Sequence, residues 1–224
     1  MKNRFLNNVK LVFLKDIRSE LRTRYVINSL LMFVLVTISI IRFAIGDEKL
    51  EDELLTGLLW IAVFFSASGG LSRTFVKEEE KETSAALKLT AGPAEIFTGK
   101  LLFNLVLTFV LNFFILVLFI LITGYTIKNP GLFVLVMSLG NIGLVAASTI
   151  IAAIISKANS KGTLYPVLSF PVLLPLLLTV INATKLASAG IDLKEITGEF
   201  LILVSYNAVV VTVSLMLFPF VWED

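Results

Sequence analysis

Six stretches of about 20 mainly apolar residues dominate this chain, and that one feature narrows what it can fold into more than any other. They lie at 26–45, 54–71, 101–123, 132–155, 164–183 and 200–221. A helix needs about 20 such residues to cross a hydrocarbon layer of roughly 30 Å. A membrane β-strand needs only about 9–11 residues of alternating character, and these runs do not alternate. Their abundance shows in the bulk figures: 57% hydrophobic residues, 16% charged and a mean hydropathy of +0.92. Soluble domains carry about 25% charge, so neither a water-soluble enzyme core nor a disordered chain fits. The reading is an all-α membrane protein, a single transmembrane unit over 1–224, with six spans preceded by an amphipathic interfacial helix.

Two residue types are missing. The chain has no cysteine and no histidine. Disulfides, Cys/His zinc sites, a cysteine nucleophile and a Ser-His-Asp triad are therefore excluded. Haem ligation through a His or Cys of this chain is excluded as well. Met32, Met137, Met216, Tyr165 and Tyr206 fall in spans, where packing is their ordinary role. A net charge of +2 is too small to point to nucleic acid. No P-loop pattern is present, so any ATP must be bound by another chain.

The first 25 residues alternate faces at helical spacing. Phe5, Leu6, Val9, Val12, Phe13, Ile17 and Leu21 form one side, and seven Lys and Arg residues mostly fill the other. Such a helix lies in the membrane interface. It lacks the cleavage signature of a secretory leader and runs into an apolar stretch too long for one. Counting from a cytoplasmic N-terminus, fourteen of the nineteen basic residues fall on the inside: seven in this helix, five between Arg73 and Lys100, and Lys157 with Lys161. That bias predicts that both termini are cytoplasmic. The acidic stretch 46–53 would then face out, and Arg42 would reach the outer interface from the end of its helix.

The longest polar interval, 72–100, is the only inside loop large enough to offer a docking surface. Glu78, Glu79, Glu80 and Glu82 open it, interleaved with Lys77 and Lys81. A helix-capable run, Thr83 to Leu89, follows, with Thr83 or Ser84 as its cap. Gly92-Pro93 ends that run and begins the next helix. Two readings stand: a charged loop that only joins two spans, or a coupling helix pressed into a groove on a cytoplasmic partner.

At this loop the chain resembles a known family. Glu80 and Glu82, then Thr83-Ser84-Ala85-Ala86-Leu87-Lys88-Leu89-Thr90, Pro93, Ile96 and Gly99-Lys100-Leu101 are similar to the pattern in permease subunits of type-2 ABC exporters. Leu58 to Phe65, Arg73 to Glu80, and Phe170-Pro171-Val172-Leu173-Leu174-Pro175-Leu176 narrow the resemblance to the CcmB family, haem-exporter permeases of cytochrome c maturation. The resemblance covers most of the chain. It implies a cytoplasmic-membrane location, a dimer or hetero-oligomer, a separate CcmA-like cytoplasmic ATPase, and CcmC- and CcmD-like membrane subunits, with two roles open: moving haem itself, or coupling ATP hydrolysis to release of a haem chaperone. It implies that Glu78, Glu79, Glu80, Glu82, Ala86, Leu87, Leu89 and Pro93 couple the permease to the ATPase. A type-2 exporter for a lipid, peptide or drug, and a membrane scaffold that transports nothing, remain open readings.

Three features lie outside the loop. Pro166, Pro171 and Pro175 interrupt the backbone ladder of the fifth span. They mark either a gate near its outer end or a static kink. Gly140, Gly143 and the alanines near them, with Gly69-Gly70, allow close helix approach, within the chain or between subunits. Asn104 and Asn112, two turns apart, share a face that suits hydrogen bonds across helices. The outer stretch 184–199 has room for a short amphipathic helix around Ile191, Leu193 and Ile196, or for a small re-entrant hairpin.

Overall fold

A computed structural model of the chain describes residues 2–46, 50–80, 82–158 and 161–223. Asp47, Glu48 and Lys49 of the acidic stretch, and Lys81 of the polar loop, lie outside the described residues. Nine helices and no strands are found among those described: α1 (Lys2–Thr23), α2 (Tyr25–Ile45), α3 (Asp52–Leu71), α4 (Val76–Glu80), α5 (Ser84–Thr90), α6 (Pro93–Thr123), α7 (Pro130–Ser156), α8 (Lys161–Ala189) and α9 (Thr197–Glu223). Six stretches are long and apolar enough to cross a membrane; they correspond to α2, α3 with α4, α6, α7, α8 and α9.

The bundle centres on α7, which packs on α8, α9 and α6. Small residues explain its position. A Cβ added at Gly140 would stand 2.5 Å from the Trp60 ring and 2.6 Å from a Val180 methyl. One at Gly143 would stand 2.8 Å from the Asn207 amide oxygen. The close approach is therefore within the chain, as it is at Gly70, where a Cβ would lie 3.0 Å from Leu30. Val136, Leu144, Ala147 and Ile151 fill the gaps between these contacts. Asn112 donates to Asn141 at 3.0 Å, and Asn104 donates to Thr149 at 2.9 Å. The two asparagines do share an inward face, and both reach across to α7.

Helix α1 lies against α6 and turns into α2 through Arg24, whose φ is 51°. It thus sits at the end of the bundle that carries α4 and α5, here called the proximal end. Val9 and Val12 are buried against Gly99, where a Cβ would stand 2.7 Å from Val12 Cβ and 3.0 Å from the Val9 carbonyl. Leu6, Leu11 and Leu21 remain exposed, as suits a helix that rests on a lipid surface.

Helix α6 begins at Pro93, as the Gly92-Pro93 step suggests, and 93–100 leads without a break into the third span. Two expectations need correction. Helix α8 runs unbroken through Pro166, Pro171 and Pro175. These prolines occupy its first half, on the proximal side, so they do not mark its outer end. The stretch after α8 is a short turn, with neither a re-entrant hairpin nor an amphipathic helix: Gly190 takes φ 86°, Ile191 N–H donates to the Leu186 carbonyl, and Ile196 is buried. At this distal end Arg42 donates to the carbonyl of Gly46, and Trp60 donates to Thr184 at 2.9 Å.

Candidate functional site: the proximal coupling platform

The polar connection is built as a platform with an inner and an outer face. After α3 ends, Thr74 caps back onto the Leu71 carbonyl and Phe75 turns inward. The five residues of α4 then place Val76 and Glu78 inside and leave Glu80 outside.

Glu78 is 7% exposed and sits at the centre of an ionic cluster. Lys100, 2% exposed, donates to Glu78 at 3.0 Å, to Asp16 at 3.2 Å and to the Thr74 carbonyl at 3.2 Å. Its ammonium also stands 5.2 Å from the centre of the Phe75 ring. Lys15 adds a 2.6 Å bond to Glu78, and Thr83 donates to the same carboxylate at 2.6 Å. Burial lowers the Lys15 pKa, but Asp16 and Glu78 outweigh it and hold the ammonium above its ordinary value. A charge buried here costs less than an isolated one because each cation meets carboxylates and carbonyls in hydrogen-bonding geometry. The cluster ties α1, α4 and α6 together. Lys77 and Glu20, 3.5 Å apart, add a second tie between α4 and α1.

Glu78 is thus an internal anchor and not part of a docking face. Thr83 does not cap α5, because its hydroxyl is taken by Glu78; the Ser84 hydroxyl donates to Glu79 at 3.2 Å. Glu79 also faces Lys157 across to the end of α7, at 3.5 Å.

Beneath α5, Leu87 is buried in a second apolar cluster with Phe75, Phe97, Phe218 and Trp222. The rings are 5.0–5.6 Å apart, from Phe97–Phe218 to Phe75–Trp222. The C-terminal end of α9 therefore supports α5 from below. Lys88 lies 5.8 Å from the Trp222 ring. Pro93 is half-buried at the start of α6, where the Glu95 carboxylate accepts from Gly92 N–H at 2.9 Å and from Asn8 at 2.8 Å.

Glu80, Glu82, Ala86 and Leu89 are exposed on the outer face, together with Thr83, Ala85, Lys88 and Thr90. Leu89 stands out, with 89% of its surface open. Its helix has already buried its apolar side through Leu87, so Leu89 is presented and not left over. Of the eight coupling residues expected, four lie on this face, Glu79 and Pro93 flank it, and Glu78 and Leu87 point inward. Lys100, Asp16, Phe75 and Trp222 were not anticipated. The signal was present in α1: Asp16 and Glu20, one turn apart, are its only acidic residues.

Of the methionines and tyrosines in the spans, Met32 and Met216 are exposed on the outside of the bundle, and Met137 and Tyr165 are buried. The Tyr206 hydroxyl donates to the Val172 carbonyl.

A six-span helical bundle with a rigid platform at one end is the architecture of a multi-pass membrane permease. The chain belongs to the CcmB family: the family model described as CcmB protein matches residues 7–222. That family is one of transport subunits in cytochrome c biogenesis, and it works within a Ccm system with other subunits. No curated protein matches the chain.

Proposed function

We propose that this chain is the permease subunit of an ABC complex for haem export in cytochrome c maturation, driven by a separate cytoplasmic ATPase. Its partners on this reading are a CcmA-like ATPase, CcmC- and CcmD-like membrane subunits and a haem chaperone. It lies in the cytoplasmic membrane with both termini inside, in a dimer or hetero-oligomer. The observation that carries the reading is the exposed leucine of α5. Leu89 projects from a helix whose other side is anchored, with Ala86 small enough for close approach and Glu80 and Glu82 at the margin.

The mechanism follows from stiffness. ATP binding draws the two nucleotide-binding subunits together and displaces whatever is seated in their grooves. A surface helix held only by a loop would absorb that motion. Here α4 is bonded through Glu78 to Lys100 on α6 and to Lys15 on α1, and Lys100 also bonds Asp16. Displacement of the platform therefore moves α6 and α1 as one piece and shifts the bundle between two packings. We assign the bending to α8, whose proximal half has lost three ladder donors at Pro166, Pro171 and Pro175. With no His or Cys to ligate iron, the chain acts as a mechanical coupler and as a wall of the haem path.

The test is co-purification of the cognate ATPase with Leu89→Glu and Ala86→Trp variants. Both are exposed positions, so the permease folds and melts as the parent does, and the ATPase is lost. An ATPase retained at parental yield in both variants removes the reading.

A further inference from the structure

Two cavities adjoin on the flank of the proximal platform. The first, about 260 Å³, has seven charged side chains in its lining and opens between α1, α4 and α6. The second, about 270 Å³, is almost wholly apolar and rises from it between α1, α2 and α6. Glu20, Phe103 and Leu107 line both, so the two form one continuous groove.

Charge decides what fits. Four cations line the polar part, Lys15, Arg73, Lys77 and Lys100, against three carboxylates, Asp16, Glu20 and Glu78. Each carboxylate is already met by lysine: Asp16 and Glu78 by Lys15 and Lys100, and Glu20 by Lys77. Arg73 is exposed and makes no ion pair with any described residue. One positive charge is left over, on a guanidinium whose fork suits a phosphate.

The apolar part continues away from that charge. Ile17, Leu21, Leu31, Val106 and Val110 form its walls, and Leu21, Val106 and Val110 are open to the surroundings. From Lys100 to Leu111 along α6 the groove extends roughly 16 Å at the helical rise, which is the reach of an acyl chain. A single excess cation beside a hydrocarbon-lined channel, at the level of an interfacial helix, matches one class of molecule.

We infer that this groove binds an anionic glycerophospholipid, its phosphate on Arg73 and one acyl chain between α2 and α6. The lipid would fill the gap between the interfacial helix and the bundle, next to the elbow at Arg24.

The full chain in detergent, titrated with phosphatidylglycerol and phosphatidylethanolamine and read by native mass spectrometry, tests this. One phosphatidylglycerol is retained in preference to phosphatidylethanolamine. Arg73→Gln weakens that retention about fivefold, the worth of one basic side chain near an anionic surface. Arg4→Gln, the same charge change about three turns away near the start of α1 and in a different cavity, leaves it unaltered. Val110→Trp, which fills the apolar part without touching the charge, weakens it too. Excess inorganic phosphate does not displace the lipid. Equal retention by the parent and Arg73→Gln overturns the proposal, as does no effect of Val110→Trp. Full displacement by inorganic phosphate overturns it by marking a site for a free anion.

Discussion

Lys100 and Glu78, 22 residues apart in the chain, meet at 3.0 Å with both side chains almost fully shielded. This pair joins the polar connection to the long sixth helix, and Asp16 extends the link to the interfacial helix at 3.2 Å from the same ammonium. Removing one partner strands the others in a shielded place.

Lys100→Met therefore costs about 3–5 kcal/mol, the loss seen when a buried ion pair is broken from one side. Thermal melting in detergent measures it. A double-mutant cycle with Glu78→Gln shows a coupling well above zero, because the second change removes a carboxylate the first left bare. Additive losses would mean that the two side chains do not act on each other.

Gly99→Val separates the interfacial helix from the bundle. The new side chain meets Val12 and the backbone of Val9, and backbone cannot move aside as a side-chain tip can. Hydrogen exchange over α1 accelerates while the core of α7 stays protected. Uniform acceleration through the whole chain would contradict a local role.

Trp222→Ala opens a cavity under α5, where the ring stacks at 5.5 Å on Phe218. The expected loss is about 3–5 kcal/mol. Proteolysis between α4 and α6 increases in the same variant, because Leu87 loses part of its floor. Unchanged protection there would show that the C-terminal helix does not support the platform.

Asn112 and Asn141 bond across helices inside the membrane region. Their coupling in a double-alanine cycle is about 0.6 kcal/mol and no more than about 1.7, since an unfolded helix in lipid finds other partners. A larger value would make the pair a principal determinant of the fold.

The spans were legible because length and apolarity are enough to define them, and the face shared by Asn104 and Asn112 followed from helical spacing alone. The platform was only half legible. Glu78, Glu79, Glu80 and Glu82 were all expected to face the ATPase, yet a five-residue helix turns Glu78 inward while Glu80 stays out. Which acid is buried depends on Lys100 and Asp16, and their meeting is a tertiary fact with no local periodicity. The prolines of α8 misled in a related way. Each removes one donor, but neighbouring helices hold the segment, so it continues as a helix to Ala189.

In the proposed function, work enters through α4 and α5 from a nucleotide hydrolase on another chain. Reconstitution of the protein with its cognate ATPase in liposomes, with hydrolysis followed as haem is added, tests it most directly. Hydrolysis rises with haem when the parent is present and stays at the basal rate with Leu89→Glu or with Lys100→Met. A rate that ignores the permease, or that responds equally with Leu89→Glu in place, would contradict the proposal.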